Sequence, residues 1–195
     1  GGYQHALVIG AETLSKMMDW TDRSTCVLFG DGAGAAVLSV SEEDGILSMV
    51  QGSDGFRGDV LNCMARKVNN PYKKSDTALS YVSMNGQEVY RFAVKTVPKA
   101  ITDAVEQADL HLEEIDLFLL HQANYRIIEA VSKRLGQPME KFPTNLEECG
   151  NISAASVPIL LDNVNNHGMM RKGMKIVLAG FGAGLSWGAS ILEWK

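Results

Sequence analysis

The hydrophobic positions of the chain fall into two patterns, short continuous runs and longer repeats with helical spacing. A short apolar run bounded by polar or glycine-rich residues is typical of a buried strand. Runs of this kind lie at residues 6–10, 26–29, 35–40, 115–120, 175–179 and 189–194. Because the connection between the second and third runs is short, we expect these two strands to be antiparallel neighbours.

Three stretches repeat apolar side chains every three or four residues, and each predicts a helix with one buried face. They span residues 89–108, 127–135 and 156–163. Asn85 is a candidate N-cap of the first, with Glu88 at the reciprocal position, and Pro98 inside it predicts a kink. Gly136 ends the second helix. Helices that alternate with strands predict an α/β fold, a mixed sheet covered by helices.

Residues 41–80 are polar and glycine-rich and carry few periodic signals. Turn markers occur at 44–45, 55–58 and 69–71. We interpret this region as a hairpin followed by a long surface excursion.

A glycine-rich pattern, V-L-x-G-x-G-A-G, occurs at residues 27–34 and again at 177–184. Each copy reads as strand, turn and strand, so the repeat predicts two similar halves. A strand and three helices precede the second copy, whereas only residues 1–26 precede the first. Since the chain also begins with glycine instead of methionine, we expect much of the first half to lie upstream of it.

The glycines of this repeat also allow a nucleotide-phosphate cradle as an alternative. The residues after both turns look like strand, however, and a phosphate-binding loop leads into a helix. We therefore favour tight packing, because glycine lets two backbones approach closely.

Two polar residues stand at the ends of buried elements. His121 ends the apolar run at 115–120, and Asn151 lies in a turn of small residues before the helix at 156. Alone, His121 could be a buried core histidine and Asn151 a turn residue, each with a purely structural role. Together they suggest a paired hydrogen-bonding site, which we interpret as two of the three groups of a catalytic centre.

Composition sets the remaining limits. The 195 residues are 46% hydrophobic and 21% charged, with a formal net charge of −5, which argues against a nucleic-acid partner. No apolar run approaches the ~18 residues of a membrane span, and no leader sequence is evident. Three cysteines without metal-type spacing predict neither a disulfide framework nor a metal site, so we expect a cytoplasmic protein.

Three ordered motifs, at residues 30–38, 121–126 and 150–156, together with the closing run 181–188, carry a family resemblance. Over essentially its whole length the chain resembles β-ketoacyl-acyl-carrier-protein synthase III, the initiating condensing enzyme of dissociated fatty-acid synthesis. The resemblance implies an α/β fold of the thiolase type, with duplicated halves in αβαβα layers. It implies that residues 1–80 are a remnant of the first half with the excursion loop, and that 81–195 form a complete carboxyl-terminal half.

The family uses a Cys-His-Asn triad, and His121 and Asn151 match its histidine and asparagine. The matching cysteine segment lies upstream of the strand at 6–10 and is not on this chain, so the chain alone is expected to be inactive. The resemblance implies condensation of an acyl-CoA primer, acetyl-CoA in the simplest case, with malonyl-acyl carrier protein, without a cofactor. Elongating enzymes carry two histidines, so Asn151 favours the initiating type or its polyketide relatives. Ala183 matches an oxyanion-hole backbone donor.

Further positions match the family one at a time. Those implied to bind CoA and its pantetheine arm are Arg23, Gly86, Tyr90, Ala93 and Asn124, while Gln87 departs from the usual asparagine. Those implied to receive the carrier protein are Gln122, Ala123, Asn124, Tyr125, Arg126, Arg91, Lys133 and Arg134. Basic side chains there suit an acidic partner. The family is homodimeric.

Several alternatives stay open. Arg126, Lys133 and Arg134 could form a solvated helix face. Cys149 could pair with His121 as the nucleophile of a self-contained enzyme. The chain could be a non-catalytic half that binds a carrier protein, or part of a polyketide or other acyl condensing enzyme. Of the other thiols, Cys26 is expected in the core and Cys63 in a loop.

Overall fold

The computed structural model describes residues 2–43, 45–63, 72 and 80–195, and the turn markers at 69–71 lie outside them. The strands are β1 (His5–Thr13), β2 (Asp31–Ser39), β3 (Ile46–Ser53), β4 (Leu61–Asn62), β5 (Ser83–Met84), β6 (Leu117–Leu120), β7 (Lys175–Gly182) and β8 (Ser186–Glu193). The helices are α1 (Gly86–Gln107), α2 (Tyr125–Leu135), α3 (Leu146–Cys149) and α4 (Ser156–Asn166). The predicted α/β class is confirmed.

A four-stranded mixed sheet in the order β3-β8-β7-β6 organises most of the chain. Strands β6 and β7 are parallel, and the other neighbouring pairs are antiparallel. All four residues of β6 are buried, because helices cover both of its faces. A continuous apolar run is the expected sequence of such a strand, which is why the run at residues 115–120 located it.

Helices α1 and α2 cover one face of this sheet and α4 covers the other. The Asn85 side chain accepts a hydrogen bond from the Glu88 backbone N–H at the start of α1, so the predicted cap is confirmed. Pro98 lies inside α1, as the sequence indicated, and the helix continues past it to Gln107. Helix α2 ends at Gly136, whose φ of 65° is the left-handed conformation that favours glycine.

Strands β1 and β2 form a separate antiparallel ribbon that packs on α4 and on the short 3-10 helix Ser153–Ala155. The approach is close at two paired glycines: a Cβ on Gly10 would lie 2.4 Å from the Ala154 carbonyl oxygen, and one on Gly34 would lie 2.9 Å from the Ile159 nitrogen. Tight packing is therefore confirmed for Gly34 of the first copy of the glycine pattern. It is wrong for Gly180 and Gly182 of the second copy, where an added Cβ would meet no atom within 4 Å. Outward-facing side chains such as Leu7 are exposed.

The predicted strand at residues 26–29 is wrong. This segment forms turns, and only Phe29 makes a bridge, to Asn151. The Asp22 carboxylate accepts hydrogen bonds from the Ser24 N–H and hydroxyl and from the Thr25 hydroxyl. Such local side-chain bonds compete with strand pairing. Cys26 is accordingly half-buried and lies outside the core clusters, contrary to the expectation.

The glycine repeat takes two different conformations. Residues 31–34 belong to strand β2, whereas the second copy continues β7 through Gly182 and turns only at residues 183–185. The interpretation of residues 41–80 as hairpin and excursion also fails in part. Residues 46–53 are strand β3, which pairs with β8 from Ile46–Leu192 to Ser53–Ser186.

Candidate active site

His121 is the residue directly after β6, and the sheet fixes its backbone. Its N–H donates to the Ala179 carbonyl oxygen at 2.7 Å, which extends the pairing of β6 with β7 by one residue. The residue is 9% exposed. Its imidazole meets the Phe181 ring in an edge-to-face arrangement, with centroids 5.3 Å apart. No hydrogen bond joins the imidazole to another residue in the described part of the chain.

Burial decides the charge of this histidine. Removal of water from the ring penalises the imidazolium form and lowers the pKa of His121 from 6.5 to about 4. The side chain is therefore neutral at physiological pH. A neutral imidazole still offers one N–H donor and one acceptor nitrogen to a ligand.

Asn151 is positioned by a distant part of the chain. Its N–H donates to the Leu28 carbonyl at 3.0 Å, and its carbonyl accepts from the Gly30 N–H at 2.8 Å. Its side-chain oxygen accepts from the Ser153 N–H at 3.0 Å. With the oxygen so engaged, the amide NH₂ group forms no hydrogen bond to a described residue and stays available as a donor.

One cavity of about 1010 Å³ contains both residues. Of the residues that the sequence predicted, it is lined by Gly86, Tyr90, His121, Ala123, Asn124, Arg126, Asn151 and Ala183. These come from α1, the end of β6, the start of α2, the turn before α4 and the turn after β7. The Asn124 side-chain oxygen caps α2 by accepting from the Arg126 N–H at 2.8 Å, so its amide group can still donate.

Ala183, the predicted backbone donor, is one of the residues that line this cavity. Its carbonyl oxygen accepts from the Ser186 hydroxyl at 2.7 Å. Its N–H has no hydrogen-bond partner within the described ranges. A free N–H in the wall of a cavity can stabilise a negative oxygen of a ligand.

Other predicted residues lie away from the cavity lining. Ala93 is completely buried in the core between α1 and the sheet. Gln122 is 1% exposed, donates to the Leu120 carbonyl at 2.8 Å and accepts from the Asn145 N–H at 3.2 Å. Arg23 is exposed and does not line the cavity.

The remaining basic positions are on the surface. Arg91 and Lys133 pair with acidic neighbours on their own helices, Glu88 and Glu129. The pKa of Lys133 is raised by its hydrogen bond with Glu129. Tyr125 and Arg134 are exposed on α2.

Sequence reasoning assigned no site role to several cavity residues. Phe181 contacts His121, and Trp187 and Cys63 line the same space. Phe181 belongs to the closing motif, which was a usable signal. No sequence signal indicated Cys63, because its place in the cavity wall depends on how β4 packs beside the start of α1.

The described residues hold no group of three or more histidine, cysteine or acidic side chains arranged for a metal ion. No helix in the described part of the chain is both long and apolar enough to span a bilayer.

Two family models match separate parts of the chain. Residues 1–55 match the model of 3-oxoacyl-[acyl-carrier-protein] synthase III, and residues 105–194 match the model of its C terminal part. The chain is 48% identical, over 195 residues, to the β-ketoacyl-[acyl-carrier-protein] synthase III of Clostridium acetobutylicum, and 50% identical to that of Clostridium novyi. The alignments include the whole of this chain but 60% of each relative, so the chain spans about 60% of their length.

Solved structures also match nearly the whole of this chain and about 60% of their own length. The synthase III of Thermus thermophilus superimposes with a TM-score of 0.88 at 45% identity, over 98% of this chain and 60% of that one. The priming β-ketosynthase of the R1128 polyketide pathway superimposes with a TM-score of 0.89 at 37% identity, over 99% of this chain and 58% of that one. The chain thus shares its thiolase-like fold with a synthase III and with the priming enzyme of a polyketide pathway.

Proposed function

Because the chain belongs to the β-ketoacyl-[acyl-carrier-protein] synthase III family, we propose that the whole protein performs the decarboxylative condensation that starts fatty-acid synthesis. The substrates are an acyl-CoA primer, acetyl-CoA in the simplest case, and malonyl-acyl carrier protein. The observation that carries the proposal is that a neutral His121 and the free amide donor of Asn151 line one cavity.

The first role of this pair is to stabilise an enolate. When the malonyl carboxylate leaves as carbon dioxide, the electrons of the broken C–C bond move toward the thioester carbonyl, and negative charge develops on its oxygen. Hydrogen bonds from His121 and Asn151 to that oxygen strengthen as the charge develops. A histidine with a pKa of about 4 suits this role, because it acts as a neutral donor.

The carbon–carbon bond forms in the second step. The enolate carbon attacks the carbonyl of an acyl-cysteine, and the cysteine thiolate leaves when the tetrahedral intermediate collapses. The free N–H of Ala183 supplies one donor for the oxyanion of that intermediate. The cysteine itself is proposed to come from the first thiolase half, upstream of β1.

The substrates reach the pair through the same cavity. Gly86, Tyr90 and Asn124 are proposed to contact the pantetheine arm, since they line the same cavity as His121. Arg23, exposed and outside the lining, is retained as a contact for the adenine of CoA. Ala93 and Gln122 are now assigned to packing and to backbone support, because both are buried.

Carrier-protein docking is proposed at the exposed basic side chains near the Arg126 end of the cavity. Arg126 lines the cavity and is exposed, and Arg134 is exposed on α2. Lys133 and Arg91 lie on α2 and α1 in ion pairs with Glu129 and Glu88, which an acidic partner would have to compete with. Tyr125 and the Ala123–Asn124 backbone complete the contact. We further propose that the whole protein is a cytoplasmic homodimer. Each protomer then contains two thiolase halves in αβαβα layers, and the boundary between the halves lies near residue 80 of this chain.

The proposal is tested with the full-length protein. We expect His121→Ala and Asn151→Ala to lower malonyl-carrier-protein decarboxylation by about 10²-fold or more each, since each removes a donor from the developing charge. The exposed His167→Ala is the matched control and should keep the parent rate. Equal rates for His121→Ala and His167→Ala would contradict the assignment.

The 195-residue chain alone is expected to form no β-ketoacyl product from acetyl-CoA and malonyl-carrier protein. Product formation that survives Cys149→Ser but is lost in His121→Ala would show that the chain is self-contained without Cys149. Loss in Cys149→Ser would instead support the alternative in which Cys149 is the nucleophile.

A second candidate function is priming of a polyketide or other acyl pathway. The similarity to the R1128 priming enzyme favours it. Full-length protein assayed with acetyl-CoA and with longer or branched acyl-CoA primers separates the two, since a fatty-acid initiator of the simplest kind prefers the acetyl primer. A non-catalytic carrier-binding half would bind the carrier protein but show no turnover with any primer.

A further inference from the structure

One thiol lies in the wall of the candidate active-site cavity, and the proposed mechanism does not use it. Cys63 follows β4 and is half-buried, and its Sγ donates to the Ser80 carbonyl at 3.4 Å. It lines the cavity together with Leu61 and Val82. Cys26 and Cys149 are also half-buried free thiols, but neither lines this cavity.

A second observation indicates that the cavity receives a ligand. The His121 imidazole lines it, is 9% exposed, and has no hydrogen-bond partner among the described residues. A buried polar group without a partner is costly unless a ligand or solvent satisfies it. A volume of about 1010 Å³ is ample for an extended small molecule.

We propose that Cys63 is a covalent modification site for pantetheine disulfides, of which CoA disulfide is the simplest. This inference rests on the proposed function, because that function brings pantetheine arms into the cavity. A disulfide carried on such an arm is held beside Cys63, whereas Cys26 and Cys149 meet it only by collision. Confinement in the cavity therefore raises the effective concentration of the disulfide sulfur at Cys63, but not at the other two thiols of this chain.

The reaction is thiol–disulfide exchange and needs no other oxidant. The Cys63 thiolate attacks one sulfur of the bound disulfide, and a new S–S bond forms as the original S–S bond breaks. The released CoA leaves as a thiolate and takes up the proton that Cys63 lost. Cys63 is thereby oxidised to a mixed disulfide, and one CoA sulfur is reduced to a thiol.

The product blocks the site. A CoA moiety linked to Cys63 occupies the cavity that His121 and Asn151 share, so the modified protein cannot admit a thioester until a reductant releases the CoA. On this chain, access to the cavity therefore depends on the ratio of CoA disulfide to CoA through Cys63; the cysteine proposed to lie upstream of β1 is a separate thiol of the whole protein.

The test uses the 195-residue chain with CoA disulfide as the probe and intact-mass and peptide-mass spectrometry as readouts. We expect one CoA adduct, mapped to Cys63, forming on the order of tenfold faster than adducts at Cys26 or Cys149. The adduct should be removed by dithiothreitol. Excess desulfo-CoA, which binds without a thiol, should slow its formation. Hydroxyethyl disulfide, which has no pantetheine arm, should show no such preference.

Variants make the assignment specific. Cys63→Ser should lose the fast adduct, while Cys26→Ser and Cys149→Ser, the matched controls, should keep it. Comparable labelling of all three cysteines, or labelling that desulfo-CoA does not slow, overturns the inference. If calorimetry shows desulfo-CoA binding but Cys63 stays unmodified, this inference alone fails. If desulfo-CoA does not bind, the proposed CoA site fails with it.

Discussion

Burial of His121 predicts a pH-dependent loss of stability that can be measured without any substrate. The imidazole has a pKa of 6.5 in an unfolded chain and about 4 in the folded protein, because water is removed from the ring. The unfolded chain therefore takes up a proton at this site before the folded protein does as the pH falls. Stability from this group is complete above pH 6.5 and declines as the pH falls toward 4.

The size of the change in unfolding free energy follows from the pKa shift of His121. A difference of about 2.5 pKa units, at 1.36 kcal/mol per unit, is worth about 3.4 kcal/mol between the two limits. Folded domains are stable by only about 5–15 kcal/mol. The neutral state of a single histidine thus contributes a substantial part of the acid sensitivity of this chain.

The measurement compares the parent chain with His121→Gln, which keeps a polar side chain but cannot be protonated. Urea unfolding at pH values from 7.5 to about 4 gives the unfolding free energy of each. Carboxylates titrate in both proteins and cancel in the difference. We expect the parent to lose about 3 kcal/mol more than His121→Gln across this range. His111→Gln, at an exposed position, controls for removal of an imidazole.

A direct titration makes the reasoning refutable. In NMR spectra the ring proton of His121, assigned by its disappearance in His121→Gln, should shift with a midpoint near pH 4. A midpoint near 6.5, or a free-energy difference that does not change with pH, would falsify the assignment of a desolvated neutral ring. The enolate mechanism would then need a different donor.

Two further changes test the fold that positions the site. Asn85→Ala removes the acceptor for the Glu88 N–H at the start of α1 and should lower the unfolding free energy by about 1 kcal/mol in urea titrations. The control Gln87→Ala, at a neighbouring position, should change the unfolding free energy little. Equal losses in the two variants would contradict the cap. Gly10→Ala places a Cβ 2.4 Å from the Ala154 carbonyl and should cost about 1–3 kcal/mol or more by the same measurement. Gly55→Ala, with open space around it, is its control, and an unchanged Gly10→Ala protein would refute the close packing.

Local patterns found most of the regular structure. The apolar run that contains β6 and the cap at Asn85 were predicted because their signals lie within a few residues of each other. The sequence also placed His121 at the end of a buried strand. Strand β3 escaped prediction because its partner, β8, lies more than 130 residues away, and because its sequence, ILSMVQGS, lies in a region whose other residues are mostly polar or glycine.

The segment at residues 26–29 shows the opposite error. Its apolar letters fit a strand, but the side-chain hydrogen bonds of Asp22 to Ser24 and Thr25 fold the preceding residues into turns. Phe29 still reaches Asn151 through a single bridge. The run is not buried either, because Val27 is 65% exposed and the other three residues are half-buried. A four-residue apolar run therefore established neither burial nor strand pairing here.

The sequence by itself determined most of the helices and strands, though not β3, and it determined which residues carry the family motifs, including His121 and Asn151. Only the tertiary structure decided that these two residues line one cavity, that His121 is neutral, and that Cys63 shares their space. The physical reason is distance along the chain. Desolvation and cavity shape arise from contacts among β4, α1, β6, β7 and the turn before α4, and no local preference records how those distant elements pack together.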